Sequence, residues 1–182
     1  MTAQDFAPAV PSTPDGVPLA GWWQRAVAWL FDWVIVAVGS LPISGYFWYR
    51  YLEDDDPATT SSWSEPWAEY RWSLAGFAIY LVANFAYQYF FLVRTGATPG
   101  KKAIGISVRL RDVAGPPPGP AVVKRVGLIS LFEGLGFLPG SVGLAAGGVG
   151  LLDVLWPLWD GKRQAWHDKY AATNVVRGPQ PR

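Results

Sequence analysis

The sequence predicts an all-α membrane protein, a bundle of about four hydrophobic helices with a small cytoplasmic β element. Three observations lead there. Only 16% of the 182 residues are charged while 51% are hydrophobic and 15% aromatic, against roughly 25% charged in an average soluble domain. The runs Trp22 to Tyr49 and Trp72 to Leu92 each meet the length of about 20 mainly apolar residues that a bilayer crossing requires. The connections between apolar runs also differ sharply in charge. Residues 53 to 71 carry six acids against Arg71, whereas residues 93 to 125 carry seven bases against Asp112.

The third apolar region, Val126 to Trp159, is too long for one crossing and is interrupted by Leu138-Pro139-Gly140-Ser141. It reads as two segments, Val126 to Leu138 and Val142 to Trp159, either as two crossings or as a short re-entrant hairpin. By the positive-inside rule the basic connection faces the cytoplasm and the acidic one the outside. The tail after Trp159 carries five bases against Asp160 and Asp168, so it too is expected inside. The expectation is a multi-pass protein of the cell (inner) membrane with both termini cytoplasmic.

Residues 1–21 contain Pro8, Pro11, Pro14 and Pro18 with two acids and no basic stretch. They lack the pattern of a secretory signal and are expected to be a disordered cytoplasmic tail. Residues 22–177 form the transmembrane domain and 178–182 a disordered end. The acidic connection, with Asp54-Asp55-Asp56, Trp63 and Trp67, reads as solvated and partly interfacial, since it lacks the ligand spacing and glycine of a calcium loop. With no cysteine and one histidine, His167, disulfides, iron–sulfur clusters and multi-histidine metal sites are excluded, and no cofactor is expected.

Charges inside apolar runs are costly and mark functional positions. Arg25 and Asp32 both fall in the first run, and seven residues return a helix to nearly the same face about 10.5 Å farther on. Arg25 is therefore expected to snorkel toward headgroups. Asp32 is expected to pair with a base from another element, with Arg125, Lys101 and Lys169 as candidates. Glu133, Asp153 and His167 are secondary candidates. A polar cluster of Arg25, Asp32, Arg125 and Asp168 can serve either to fix helix register or to bind a proton or monovalent cation. Thr98, Gly100, Lys101, Lys102 and Lys124 are expected to form a loop facing lipid headgroups. That loop lacks the Walker spacing, because Gly96 stands too close to Gly100.

Alternation of Ile104, Ile106, Val108 and Leu110 with Gly105, Ser107, Arg109 and Arg111 reads as a half-exposed strand. Ala172 to Val176 is a second candidate strand. His167-Asp168 is not read as a catalytic dyad, since no nucleophile is placed beside it. Asp168 is instead expected to cap or anchor the tail.

Four motifs in order resemble the RDD family of small membrane proteins over about Gly21 to Arg177. They are Arg25 followed by Asp32; Gly96-Ala97-Thr98-Pro99-Gly100-Lys101-Lys102 followed by Ile104 to Val108; Lys124-Arg125; and Arg163-Gln164-Ala165-Trp166-His167-Asp168-Lys169 followed by Ala172 to Val176. The tryptophan- and proline-rich composition is similar to that of actinobacterial members. The resemblance implies a domain named for one arginine and two aspartates, matched here by Arg25, Asp32 and Asp168. It also implies transport of an unidentified ligand, some members having been linked to cation/proton exchange.

Two functions follow as expectations. The first is a transport or ion-exchange component using intramembrane carboxylates. The second is a non-catalytic accessory or assembly subunit of a larger membrane complex, for which Gly143 and Gly147 would suit close helix contacts. No set of nucleophile, base and orienting group appears, so an enzyme is not expected. The partners expected are the lipid bilayer and other membrane subunits or a homo-oligomer, and not nucleic acid.

Overall fold

The computed structural model describes residues 10–53, 71–111 and 113–181. The acidic connection, residues 54–70, lies outside these, as do residues 1–9. Two long helices, α1 (Trp22–Glu53) and α2 (Arg71–Thr95), are followed by a one-turn helix α3 (Pro99–Ala103) and strand β1 (Ile106–Leu110). Helices α4 (Gly119–Gly136) and α5 (Gly140–Leu155) form a hairpin. The chain ends in a 3-10 turn (Trp156–Leu158), a short helix α6 (Trp166–Tyr170) and strand β2 (Thr173–Arg177).

Helix α2 packs against α1 on one side and α4 on the other, and α5 packs on α4. The α1/α2 pair is antiparallel. Tyr87 reaches Asp32 near one end, and toward the other Gly76 lies where a Cβ would stand 3.3 Å from Phe47. Along α2, Phe77 stacks on Phe137 at 4.0 Å and Asn84 meets Glu133. The α4/α5 contact is made by glycines, with Gly136 against Gly147 and Gly150 against Phe132. Gly143 sits so close to the Leu138 carbonyl that no side chain could be added there.

Trp22–Arg50, Arg71–Thr95 and Gly140–Leu158 are long and apolar enough to cross a membrane. Their outward faces are oily. On α1, Trp29, Leu30, Phe31, Trp33 and Val34 are all about half exposed, a continuous apolar surface that a soluble monomer does not sustain. Helix α4 begins seven residues earlier than its apolar run. Lys124 and Arg125 lie within its first two turns, and Pro120 sits near its start, where a missing N–H costs nothing.

At one end of the bundle β1 and β2 pair antiparallel, with Val108 opposite Val175 and Leu110 opposite Thr173. The strand is not half exposed as the alternation suggests. Ile106, Ser107, Val108 and Arg109 are all buried, because a further segment covers the sheet. That segment is residues 10–21, expected to be disordered. It forms a strap that bridges β2 through Leu19 and Val176, with Ala20 N–H donating to Val175 and Arg177 N–H to the Pro18 carbonyl. Gly16, at φ +82, permits the tight turn Thr13–Val17 that starts it. Residues 178–181 are ordered too. The Gly178 N–H donates to Gly105 and the Gln180 amide to Ser107 Oγ at 2.9 Å. Strap, sheet and α6 thus form a cap over the bundle end, sealed by a core of Ala20, Ala28, Leu92, Ile106, Val108, Val122, Val126 and Val175.

Candidate functional site

Three largely buried polar knots, two of them ion pairs, lie where the cap meets the helices. In the first, Asp168 of α6 lies fully buried between two arginines. Arg25, in the first turn of α1, donates from Nη1 to Asp168 Oδ2 at 2.7 Å and from Nη2 to the Arg163 carbonyl at 2.5 Å. Arg163 turns that carbonyl inward with a left-handed backbone, φ 48. From α4, Arg125 donates to Asp168 Oδ1 and to Thr173 Oγ1 at 3.0 Å. Asp168 also accepts the Ala165 N–H at 3.1 Å and the Thr173 hydroxyl at 3.3 Å. Burial alone would raise its pKa, but the charges of Arg125 and Arg25 overcome that and hold the carboxyl well below its usual range. Opposite charges and donated hydrogen bonds both favour the ionised form.

The second knot surrounds Asp32, two turns deeper on α1. Its Oδ1 accepts the Tyr87 hydroxyl and the Gly100 N–H, both at 2.8 Å. Its Oδ2 accepts the Thr98 hydroxyl at 2.5 Å and the Lys101 ammonium at 3.3 Å. Thr98 is the N-cap of α3 and Pro99 its first residue, so Gly100 offers one of the N–H groups that a helix start leaves unpaired. Gly100 must be glycine to come this close. A Cβ would lie 2.4 Å from the Ala28 carbonyl and 2.7 Å from Asp32 Oδ1. Burial lowers the pKa of Lys101 and the Asp32 carboxylate opposes that shift.

In the third knot Asp153, near the end of α5, accepts the His167 N–H at 3.0 Å and lies 2.5 Å from His167 Nδ1. Its carboxylate caps the start of α6 from outside that helix. Through Arg25, Arg125 and Asp153, three long helices converge on five residues of α6.

The proposed partners are partly rearranged. Arg25 does not snorkel, because Asp168 holds it. Asp32 pairs with Lys101 and not with Arg125, whose counter-ion is Asp168, nor with Lys169, which meets Asp160 at 2.5 Å. The single cluster is therefore two adjoining ones, with Arg125 and Asp168 near enough to act on Lys101 electrostatically. Thr98 and Gly100 are buried, and with the half-buried Lys101 they line the Asp32 knot. Lys102 and Lys124 are exposed, Lys102 lying 5.6 Å from the Phe91 ring. Glu133 stands apart from all three knots.

Tyr87, Thr173 and Gln164 carry these knots without having been singled out. Gln164 is buried and donates to the Thr173 carbonyl and to Asn174 Oδ1, each at 2.8 Å. A signal existed for two of them, since Gln164 and Thr173 stand inside the motif runs at Arg163 and Ala172.

The order Arg25, Asp32, Thr98-Pro99-Gly100-Lys101, Arg125 and Asp168 now has a shared geometry, and the RDD family model matches residues 19–172. The chain belongs to the RDD family. Among curated proteins none matches the chain, and among solved structures none does. The RDD match begins at Leu19, where the strap joins the sheet, and contains every charged residue of the three knots, ending one residue before Thr173. With its apolar helices, this RDD chain is a membrane protein.

The RDD cap is also locked from its outer side. Arg109 of β1, nearly fully buried, grips Asp15 of the strap through both Nη atoms at 2.8 and 2.5 Å. The Arg109 hydrogen bonds hold the Asp15 carboxyl well below its usual pKa. A depressed folded-state pKa gives stabilisation that is present above the ordinary carboxylate range and lost as pH falls below it. Asp15→Ala is expected to make the strap at least several-fold more sensitive to limited proteolysis near Val10 to Val17 at neutral pH. The wild-type strap should reach that sensitivity only in strong acid.

Proposed function

We propose that this RDD protein is a non-catalytic accessory or assembly subunit of a membrane complex, in which the polar knots fasten a folded cap to one end of the bundle. The observation that carries this reading is saturation. Each oxygen of Asp32 and of Asp168 already accepts hydrogen bonds from the protein's own groups, which leaves little for a ligand to compete with. Breaking such a pair is costly, whereas its presence serves register and specificity.

The cap is assigned to the cytoplasmic side of the cell membrane by the excess of bases in residues 93–125 and in the tail. Helix α4, 18 residues long, spans about 27 Å. It follows α2 as far as Phe77, which supports its crossing with α5 as a hairpin although it carries Lys124, Arg125 and Glu133.

Reconstitution into vesicles tests the accessory reading, and labelling in cells tests the sidedness. The purified protein is expected to give no proton or monovalent-cation flux above that of empty vesicles, and Asp32→Asn to lower protein abundance in cells. In the cysteine-free chain, a single cysteine at exposed Val113 should react in intact cells only after the membrane is permeabilised. A flux abolished by Asp32→Asn at unchanged abundance would overturn the accessory reading in favour of transport, the reading to which a carboxylate inside the bundle, Glu133, lends support.

A further inference from the structure

Glu133 is a carboxyl group within the bundle that none of the knots uses. It lies eight residues beyond Arg125 on α4, about 12 Å farther from the cap, and its side chain is half buried against α2. Its Oε2 accepts one hydrogen bond, from the Asn84 amide at 3.3 Å. Asn84 in turn accepts from the Gln88 amide at 3.3 Å, and both residues are buried. One turn nearer the cap on the same side of α4, the Ser130 hydroxyl is buried without a hydrogen-bond partner.

The charged groups that could balance Glu133 are all elsewhere. Helix α2 has charged residues only at its ends, Arg71 and Arg94, and at this level presents Tyr80, which lies within reach of the carboxylate's field. Helix α5 has only Asp153, which faces His167. On α1, Arg25 and Asp32 belong to the cap knots, while Arg50 and Glu53 pair at the far end. Among the described residues no base comes within ion-pair distance of Glu133. An ionised carboxylate supported by one neutral amide at this depth is strongly disfavoured, and adding a proton removes the cost.

We infer that Glu133 is a proton-binding site: its carboxyl holds a proton at neutral pH, and Asn84, itself held by Gln88, fixes its orientation. The inference does not depend on the accessory reading, since flux across vesicles reports on that reading and the state of one carboxyl reports on this one.

The test is infrared titration of the full-length protein in phospholipid vesicles, comparing wild type with Glu133→Gln. The expected result is a C=O stretch of a protonated carboxyl at neutral pH in wild type, absent from the variant and converted to carboxylate bands only in alkali. Carboxylate bands assigned to Glu133 at neutral pH would overturn the inference. Should Glu133→Gln fail to fold, a hydrophobic carbodiimide, which modifies protonated carboxyls in apolar surroundings, decides on the wild-type protein. Labelling at Glu133 should exceed that at Asp32 and Asp168 at least tenfold and decline as pH rises, and labelling no greater than at those two would overturn the proposal.

Discussion

Asp168→Asn is expected to cost about 3–5 kcal/mol, the usual penalty for removing one partner of a buried ion pair, and to deplete the folded protein from membranes. The size of the effect comes from what remains. Arg25, half-buried, and Arg125, buried, would be left close together without a counter-ion, their like charges opposed. The Ala165 N–H and the Thr173 hydroxyl lose their charged acceptor at the same time. Thermal unfolding in detergent and abundance in isolated membranes would read the loss. Replacing Arg25, Arg125 and Asp168 together by apolar residues should be milder than Asp168→Asn alone, because it strands no charge. Because the Asp168 carboxyl is held far below its ordinary pKa, its contribution should persist through mild acid and fade only as pH falls below the usual carboxylate range.

Gly100→Ala is expected to be the second most damaging change, although it adds one methyl group. The new carbon would collide with the Ala28 carbonyl of α1 and with the Asp32 carboxylate. Neither can yield cheaply, since one is helix backbone and the other is tied to four donors. Overpacking of this kind typically costs about 1–3 kcal/mol, and here it would also lever α3 away from α1. Gly127→Ala is the matched control, because nothing lies within 4 Å of its added carbon. A melting temperature that falls for Gly100→Ala and holds for Gly127→Ala would bear out the close approach. Equal behaviour of the two would refute it.

Much of this architecture was legible from residue order. The apolar runs, the break at Leu138-Pro139 and the two strand segments each follow from local physics, namely hydropathy, turn chemistry and side-chain alternation. The members of the ionic cluster were legible too, but the choice of partners within it was not. Arg25 and Asp168 are 143 positions apart, and several bases were equally eligible for Asp32, so only the packing of α3 beside α1 selects Lys101. Gly100 looked like a loop glycine because its role depends on a helix from elsewhere in the chain. The strap was misread for a different reason. Its prolines suggested disorder, yet Pro11 and Pro18 lack only donors, and the carbonyls of both accept hydrogen bonds from the Leu19 and Arg177 N–H groups. The start of α4 was masked by Lys124 and Arg125, which look like loop residues until Asp168 supplies a reason to bury one of them.

The position of Asp168 along the chain also sets an order of events during biogenesis. Arg25 and Arg125 are synthesised, and reach the bilayer surface, well before their common carboxylate leaves the ribosome. Until it does, those guanidinium groups depend on water or phospholipid phosphates, and Ala28, Val122 and Val126 wait beneath an open surface. Closure of the cap therefore waits for α6 and β2, and a chain that stalls before Asp168 leaves both guanidinium groups without their shared carboxylate.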